Sequence, residues 1–314
     1  MGNAKDEALP IPVVASEKYP DFHAGPYNYC HEWGRLKVGQ AVTLQVSADA
    51  ADTRICGVTG LSLVRAAGRS GRRIQKVSYG AMSPLQRPVG EDPSHWGRYD
   101  VAGHSTIYIA STAEGAYAES LANQRISNRL KTIRLSDVFD DSESRDSPDT
   151  VLAAVKKEWD QLFGGMTPGK VVLGWRDARL EYPMTLPKEG WLVDIEASSS
   201  IAVINASMRS ELGDLGIDYL TVGDLRGDQR AVTTAVAGWI HSQVLEDGSL
   251  PHGIVYGSKH GTDYVCWAIW LRKVDDGKDP QAEPTKAGAG IEIRLPHHNR
   301  PLAKVAQHFG LKIY

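Results

Sequence analysis

Residues 94–120, SHWGRYDVAGHSTIYIASTAEGAYAES, join a strand pattern to a helix pattern and carry polar and charged side chains through both. Within this stretch, TIYIA (106–110) alternates and is rich in β-branched residues, which predicts a strand. Ile107 and Ile109 then share the face toward the core, and Tyr108 points to the opposite face. We therefore expect a cleft on the Tyr108 side of this strand.

A helix is predicted directly after the strand, because Ser111 followed by Glu114 forms a capping-box pattern. Glu119 lies close to the apolar face of this helix, so its carboxylate can reach the edge of a groove. Arg98 precedes the strand in a loop, where a guanidinium can hold a phosphate with two hydrogen bonds. These residue types suit an anionic ligand.

Composition and charge exclude several classes of protein. The chain has 314 residues, 42% hydrophobic and 23% charged, which is typical of a soluble globular protein. A net charge of −3 gives no electrostatic reason to expect nucleic-acid binding. The sequence shows no apolar run of a membrane span and no signal-peptide pattern, so we expect a cytoplasmic protein. The three scattered cysteines indicate reduced thiols, and their spacing predicts no metal site.

The rest of the chain mixes strand and helix patterns without strict alternation, which indicates an α+β fold. Strands are predicted at 42–48, 73–80, 170–175, 190–196, 201–206, 253–258, 263–271 and 291–295. Helices are predicted at 61–68, 151–163, 208–216, 228–244 and 300–310.

A second candidate site lies in GIVYGS (253–258), far along the chain from the first. Strand alternation places Ile254, Tyr256 and Ser258 on one face. Gly257 allows a ligand to approach closely beside the Ser258 hydroxyl.

The order of several motifs resembles the RES domain family, which is named for its Arg, Glu and Ser. The motifs are WGRYD (96–100), STIYIASTAEGAYAES (105–120), WLVDIE (191–196), ELGDLGIDYL (211–220) and GIVYGS (253–258). The resemblance covers about residues 73–272, with what looks like an insertion across 124–189.

The resemblance implies an ADP-ribosyltransferase-like split β-sheet core around a cleft that holds NAD as a substrate. Members of the family cleave the nicotinamide–ribose bond and transfer ADP-ribose to water, phosphate or a protein. Several are toxins, so the resemblance also implies an antitoxin protein as a partner. The reaction that the resemblance implies requires no metal.

Seven site residues follow from the resemblance. Glu119, Arg98 and Ser258 match the catalytic positions, and the residues matched to NAD contacts are Lys76, Tyr99, Tyr108 and Tyr256. Lys76 stands where the family has an arginine on its first strand, and Arg54 is the alternative cation if that strand lies earlier. Domain boundaries are expected at an N-terminal arm (1–60), a RES-like domain (61–274) and a C-terminal extension (275–314).

Other interpretations remain open from sequence alone. The chain could be a noncatalytic binding protein with the RES fold, or a biosynthetic enzyme acting on NAD or a related nucleotide. A hydrolase using Ser258 and a nearby histidine is disfavoured, because Gly-Ser-Lys-His is not a nucleophile elbow. The adjacent His297 and His298 are a weak candidate for metal binding. The sequence leaves a homodimer open.

Overall fold

A computed structural model describes residues 52–83, 86–126, 169–272 and 285–314. The strand expected at 42–48 and the helix expected at 151–163 lie outside these ranges. The described strands are β1 Thr53–Ile55, β2 Ser62–Arg65, β3 Ser70–Lys76, β4 Thr106–Ala110, β5 Lys170–Val171, β6 Arg179–Thr185, β7 Trp191–Asp194, β8 Gly253–Ser258, β9 Gly261–Trp270, β10 Lys286–Ala287, β11 Ile291–Glu292 and β12 Lys312–Ile313.

The described helices are α1 Ala113–Leu121, α2 Leu173–Asp177, α3 Ser198–Ser207, α4 Arg209–Asp214, α5 Val222–Arg226, α6 Arg230–His241 and α7 Arg300–Phe309. Strands and helices are mixed along the chain, and most of the strands form one large sheet, so the expected α+β class is confirmed. None of the helices in the described ranges is long and apolar enough to span a bilayer.

The large sheet has the strand order β1-β2-β7-β8-β9-β4-β3-β6-β10, with β11 also pairing with β6. Its neighbours are antiparallel except for β7 and β8, which run parallel. A separate parallel pair joins β5 to β12. The strand predicted at 263–271 to be central, because it is apolar on both faces, is β9, which lies between β8 and β4.

Strand β4 is paired very differently on its two edges. Its five residues all pair with β9, from Thr106 with Trp270 to Ala110 with Cys266. On the other edge, only Ala110 pairs with β3, at Arg72. Beyond that pair the two strands part, and the sheet opens between them.

The two faces of the sheet bury separate clusters, as strand alternation requires. Ile107 and Ile109 of β4 pack with Trp267 and Ile269 of β9 on one face. Ala110 of β4 belongs to the cluster on the other face, with Tyr108 partly buried against it, and helices α3 to α6 cover that cluster. The sequence placed Tyr108 opposite the isoleucines, and the structure confirms this.

The C-terminal segment packs on the helix that carries Glu119. Leu302 and Val305 of α7 share a buried cluster with Tyr117 and Leu121 of α1. The Asn299 side-chain amide donates to the Tyr117 hydroxyl at 2.8 Å. The segment also contributes β10 and β11 to the edge of the sheet beyond β6.

Several local predictions were wrong. The helix expected at 61–68 is instead strand β2 followed by a tight turn. In this turn the Arg69 N–H donates to the Ala66 carbonyl, and Ala67 and Gly68 have positive φ angles of 49° and 64°. Two successive positive φ values are the pattern of a type I′ turn, which a helix cannot contain.

Three other elements also differ. The strand expected at 201–206 is helix α3, since this segment packs as a helix over the sheet. The strand expected at 170–175 ends at Val171, where helix α2 soon begins. The helix after β4 is capped by Thr112 rather than Ser111. The elements predicted at 190–196, 228–244, 253–258 and 300–310 are confirmed in type, with shifts of a few residues at their ends.

Candidate active site

A cavity of about 260 Å³ lies between β3, β4 and α1, where β3 and β4 part. Glu119 of α1, Tyr108 of β4 and Tyr256 of β8 line it, together with Cys266 of β9. Three of the seven predicted site residues therefore lie on the wall of one cavity, although they come from three different elements.

Helix α1 presents Glu119 because its start is fixed close to β4. The Thr112 hydroxyl accepts the Gly115 N–H at 3.1 Å, which caps the helix. A Cβ placed on Gly115 would lie 3.1 Å from the Ala110 Cβ, so the glycine lets the first turn pack tightly on the strand. Glu119, one turn further on, then faces the cavity.

Ser258 contacts Glu119 directly across 139 residues of sequence. Its hydroxyl donates to Glu119 Oε1 at 2.6 Å and accepts the backbone N–H of His260 at 3.0 Å. Ser258 is only 1% exposed, at the end of β8 beside a bulge in the β8–β9 pairing. The single hydroxyl proton is thus committed to the carboxylate. His260 contacts Ser258 through its backbone N–H. This contact does not provide the histidine general base that a serine hydrolase needs.

Arg98 is buried next to this pair. It is 7% exposed, and its Cζ lies 5.5 Å from the ring centroid of Tyr256. Burial acts to lower the pKa of Arg98, but the nearby phenols of Tyr99 and Tyr256, followed by Glu119, raise it overall, so the side chain stays a cation. Its Nε and Nη1 have no hydrogen-bond partner among the described residues. Burying a cation whose donors are unpaired costs several kcal/mol of free energy, on the order of the penalty for any unpaired buried ion, unless an anion binds to it.

The turn that carries Arg98 is held by Tyr108. The Tyr108 hydroxyl accepts the Tyr99 N–H at 2.9 Å and donates to Asp100 Oδ1 at 2.7 Å. Asp100 Oδ2 in turn accepts the Gly97 N–H at 2.8 Å. A Cβ on Gly97 would collide with the Tyr108 ring, so glycine is required for this close approach. Burial, reinforced by Asp100, raises the pKa of Tyr108 well above its usual value.

Tyr99 packs against Tyr256 on the side away from the cavity. It is 0% exposed, and its hydroxyl donates to the Leu225 carbonyl at 2.8 Å. Its ring lies 4.8 Å from that of Tyr256 in an edge-to-face arrangement. Tyr256 therefore stands between Tyr99 and the cavity. Six of the seven predicted residues form this connected group.

Lys76 is not brought to the cavity. It is exposed at the end of β3, where its Nζ lies 5.6 Å from the ring centroid of Tyr79. The alternative cation, Arg54, lies on the edge strand β1, where it forms ion pairs with Glu246 and Asp247.

Arg73 is a cation of the site that the sequence analysis missed. It is 9% exposed on β3 and lines the cavity. Its Nη1 donates to the Tyr108 carbonyl at 3.1 Å, across the gap between β3 and β4. Burial lowers the pKa of Arg73 to about 10. Strand alternation gave no signal for it, because Arg73 shares a face with Gly71, whose Cβ would point at Ile109, while Arg72 pairs with Ala110 on the Tyr108 side.

A bidentate ion pair supports the strand that carries Ser258. Arg226 Nε and Nη2 donate to the two carboxylate oxygens of Glu196 at 2.8 and 2.6 Å. Glu196 Oε1 also accepts the Gly257 N–H at 3.0 Å. A Cβ on Gly257 would overlap Arg226, so a glycine next to Ser258 is needed for this packing.

The paired histidines of the C-terminal segment lie elsewhere. The rings of His297 and His298 are 4.1 Å apart in a short 3-10 turn before α7. Across the described ranges, no three His, Cys, Asp or Glu side chains are grouped as metal ligands would be.

Comparisons with known proteins give limited information. No protein family and no curated protein matches the sequence. A chain in a solved structure titled "Crystal structure of the M.tuberculosis MbcT-MbcA toxin-antitoxin complex" is similar over 75% of this chain and 90% of its own length. The sequence identity is 11% and the TM-score is 0.39, which is too low to establish a shared fold.

Proposed function

We propose that this protein cleaves the nicotinamide–ribose bond of NAD and transfers the ADP-ribose group to water, phosphate or a protein side chain. The observation that carries the proposal is the 2.6 Å hydrogen bond between Ser258 and Glu119, beside the buried Arg98, whose Nε and Nη1 have no partner in the described part of the chain. A carboxylate that lines the cavity, with a buried guanidinium 5.5 Å from the ring of the cavity residue Tyr256, suits a substrate that is anionic and develops positive charge on reaction.

The chemistry matches these groups step by step. When the C1′–N bond breaks, both electrons leave with the neutral nicotinamide, and the ribose carbon becomes an oxocarbenium-like cation. The Glu119 carboxylate would stabilise that positive charge. The oxygen of the acceptor then bonds to C1′ and releases its proton to solvent water. Ser258 would keep the carboxylate in place, because its single hydroxyl proton is donated to Glu119.

The cations would bind the rest of the substrate. Arg98 would meet a phosphate oxygen with donors that have no partner among the described residues. Arg73 would add a second positive charge at the gap between β3 and β4. Tyr256 would form the apolar wall, while Tyr108 and Tyr99 would act mainly by fixing the turn that carries Arg98.

The form of the sheet supports the same proposal. An ADP-ribosyltransferase-like core has a sheet split around the NAD cleft, and here β3 and β4 are joined by one residue pair. We propose that this opening is the cleft. A toxin role and an antitoxin partner follow from the sequence resemblance and stay predictions.

The test is to incubate the purified protein with NAD, with and without inorganic phosphate, and to measure the masses of the products. Release of nicotinamide with ADP-ribose, a phosphorylated ADP-ribose or a modified protein would distinguish the three acceptors. If NAD binds but remains intact, the protein is a noncatalytic binding protein and the proposal fails.

Glu119→Gln sharpens the test. We expect a loss of turnover of about 100-fold or more, with NAD affinity within about threefold of wild type, because the charge acts mainly in the transition state. Glu114→Gln, in the first turn of the same helix, is the matched control and should retain activity. Arg98→Met should instead weaken NAD binding about 10-fold or more, as the loss of a charge-assisted hydrogen bond predicts. Near-normal turnover of the Glu119 variant would exclude its assigned role.

A further inference from the structure

A second cavity of about 310 Å³ adjoins the first and shares two of its lining residues, Arg73 and Tyr108. Its other walls include Gln75 of β3, Tyr79 of the turn that follows, and Thr106 of β4. Both cavities therefore lie along the opening between β3 and β4, and Arg73 stands where they meet.

The sizes of the two cavities indicate a ligand that occupies both. The cavity beside Glu119, at about 260 Å³, falls below the range of roughly 300–1,000 Å³ that is usual for small-molecule sites. Together the two cavities fall well inside that range. A molecule with two compact ends and an anionic link would fill this shape, with its link at Arg73.

Two residues that line the second cavity have buried polar atoms that point to a bound ligand. Arg73 is 9% exposed and Thr106 is 6% exposed. In the described part of the chain, neither Arg73 Nε nor Thr106 Oγ1 has a hydrogen-bond partner. Buried donors and acceptors are rarely left unsatisfied, and each such group calls for an explanation. Both atoms belong to residues that line this cavity.

The other walls are suited to a flat, neutral group. Arg87 and Asp100 also line the cavity, but Arg87 Nε donates to Asp100 Oδ2 at 2.7 Å, so their charges compensate each other. Tyr79 is 57% exposed and provides an aromatic ring at the wall. Lys76 lies 5.6 Å from this ring and would hold it by a cation–π contact. Bases of nucleotides stack on aromatic rings of this kind.

We propose that the second cavity binds the nucleoside half of the dinucleotide that the reaction leaves intact, remote from the nicotinamide. Tyr79 stacks on the base, Thr106 Oγ1 hydrogen-bonds to the base or ribose, and Arg73 contacts the pyrophosphate between the two halves. This inference rests on the proposed function. In it, Lys76 does not contact the ligand but holds the Tyr79 ring that does.

Kinetics with two substrates test the assignment. NAD would fill both cavities, whereas nicotinamide mononucleotide has the same scissile bond and lacks the remote half. Tyr79→Ala and Thr106→Val should each lower kcat/KM for NAD about fivefold or more and leave kcat/KM for nicotinamide mononucleotide unchanged. Val77→Ala is the matched control, since Val77 is 51% exposed and does not line the cavity. Equal losses on both substrates, or no loss on NAD, would overturn the assignment.

Binding of adenosine monophosphate separates this inference from the proposed function. Calorimetry should show binding to wild type and to Glu119→Gln with equal affinity, and binding weakened about fivefold in Tyr79→Ala and Thr106→Val. Thr106→Val should leave the melting temperature unchanged or raise it, because it removes a buried hydroxyl without a described partner. If wild type does not cleave NAD but this binding pattern holds, the proposed reaction fails and the site stands. Absence of binding at millimolar nucleotide, or binding insensitive to both variants, overturns the site.

Discussion

The two edges of β4 show how one strand can serve both the core and a site. Toward β9, every residue of β4 is paired and the side chains of Ile107 and Ile109 pack with those of Trp267 and Ile269. Toward β3, pairing stops after one residue, and the Arg73 guanidinium takes over by bonding to the Tyr108 carbonyl.

The difference teaches that the opening depends on specific side chains. A strand edge without a partner exposes backbone groups that must be satisfied elsewhere. Here Arg73 satisfies one carbonyl, and the parted strands leave two cavities that share its side chain. The candidate site draws on both sides of β4, because Arg73 lies on β3 at the poorly paired edge and Tyr256 and Ser258 lie on β8, beyond the fully paired β9.

The largest loss of stability is expected next to the one residue pair, Arg72 with Ala110, that joins β3 to β4. Gly71→Val should reduce the free energy of unfolding by about 3 kcal/mol, as overpacking of a tight contact does. A Cβ at this position would lie 2.5 Å from Ile109 Cγ2 and 2.7 Å from the Ala110 carbonyl oxygen. Urea unfolding measures the change.

Gly174→Ala serves as the control for this substitution. Its Cβ would meet nothing within 4 Å, and the site is in helix α2, so stability should stay equal or rise by about 0.5–1 kcal/mol. A stable Gly71→Val protein with unchanged cavities would show that the junction tolerates a wider spacing than the structure indicates.

A smaller loss of stability is expected from Tyr108→Phe, which removes the hydrogen bonds between β4 and the turn that carries Arg98. Removing the hydroxyl leaves the Tyr99 N–H and one oxygen of Asp100 without their partner. The cost should be about 2 kcal/mol, because unsatisfied buried groups keep their desolvation penalty. NAD binding should weaken as Arg98 loses its fixed position. Tyr219→Phe, at a residue 82% exposed, should change neither property.

The smallest expected change is a loss of stability at acid pH, caused by a histidine that packs on β9, the strand at the fully paired edge of β4. His241 packs edge-to-face on Trp270 of β9, and burial, with help from Arg272 and His104, lowers the pKa of His241 to about 3. The unfolded chain binds a proton near its ordinary pKa of about 6.5, so stability is complete above that pH and falls as pH drops toward 3. Between pH 7 and 5.5 the loss should be about 1 kcal/mol.

Urea unfolding at several pH values measures this loss, and His241→Gln should remove most of the slope. His308→Gln, at an exposed position of α7, should leave the slope unchanged. If His241→Gln has the full wild-type slope, another group is responsible for the acid sensitivity.

Much of the fold could be predicted where side-chain pattern and position agree. TIYIA, GIVYGS and DYVCWAIWL became β4, β8 and β9, since their alternation or continuous apolarity suits half-buried and central strands. The strong i, i+3, i+4 pattern at 228–244 became α6. The same periodicity predicted which face of β4 carries Tyr108.

The failures have physical causes. IAVINA is rich in β-branched residues, but packing against the sheet overrides this local preference and makes it helical. The turn at Ala67 and Gly68 was missed because alanine rarely adopts positive φ. Arg73 was missed because the family's first-strand arginine was matched to Lys76, and strand alternation places Arg73 on the face of Gly71, which points toward Ile109. The meeting of Ser258 with Glu119 could be inferred only from the family resemblance, since spacing along a chain does not report distance in space.

The packing of α7 on α1 has a consequence for when the site can form during synthesis. About 180 residues separate the end of α1 from the start of α7. At ribosomal rates, that distance corresponds to roughly ten to forty seconds. During this interval the helix that bears Glu119 lacks a large part of its buried neighbourhood, and Ser258 is also made late. A nascent chain would thus acquire its carboxylate–serine pair in its final surroundings only after α7 has been made.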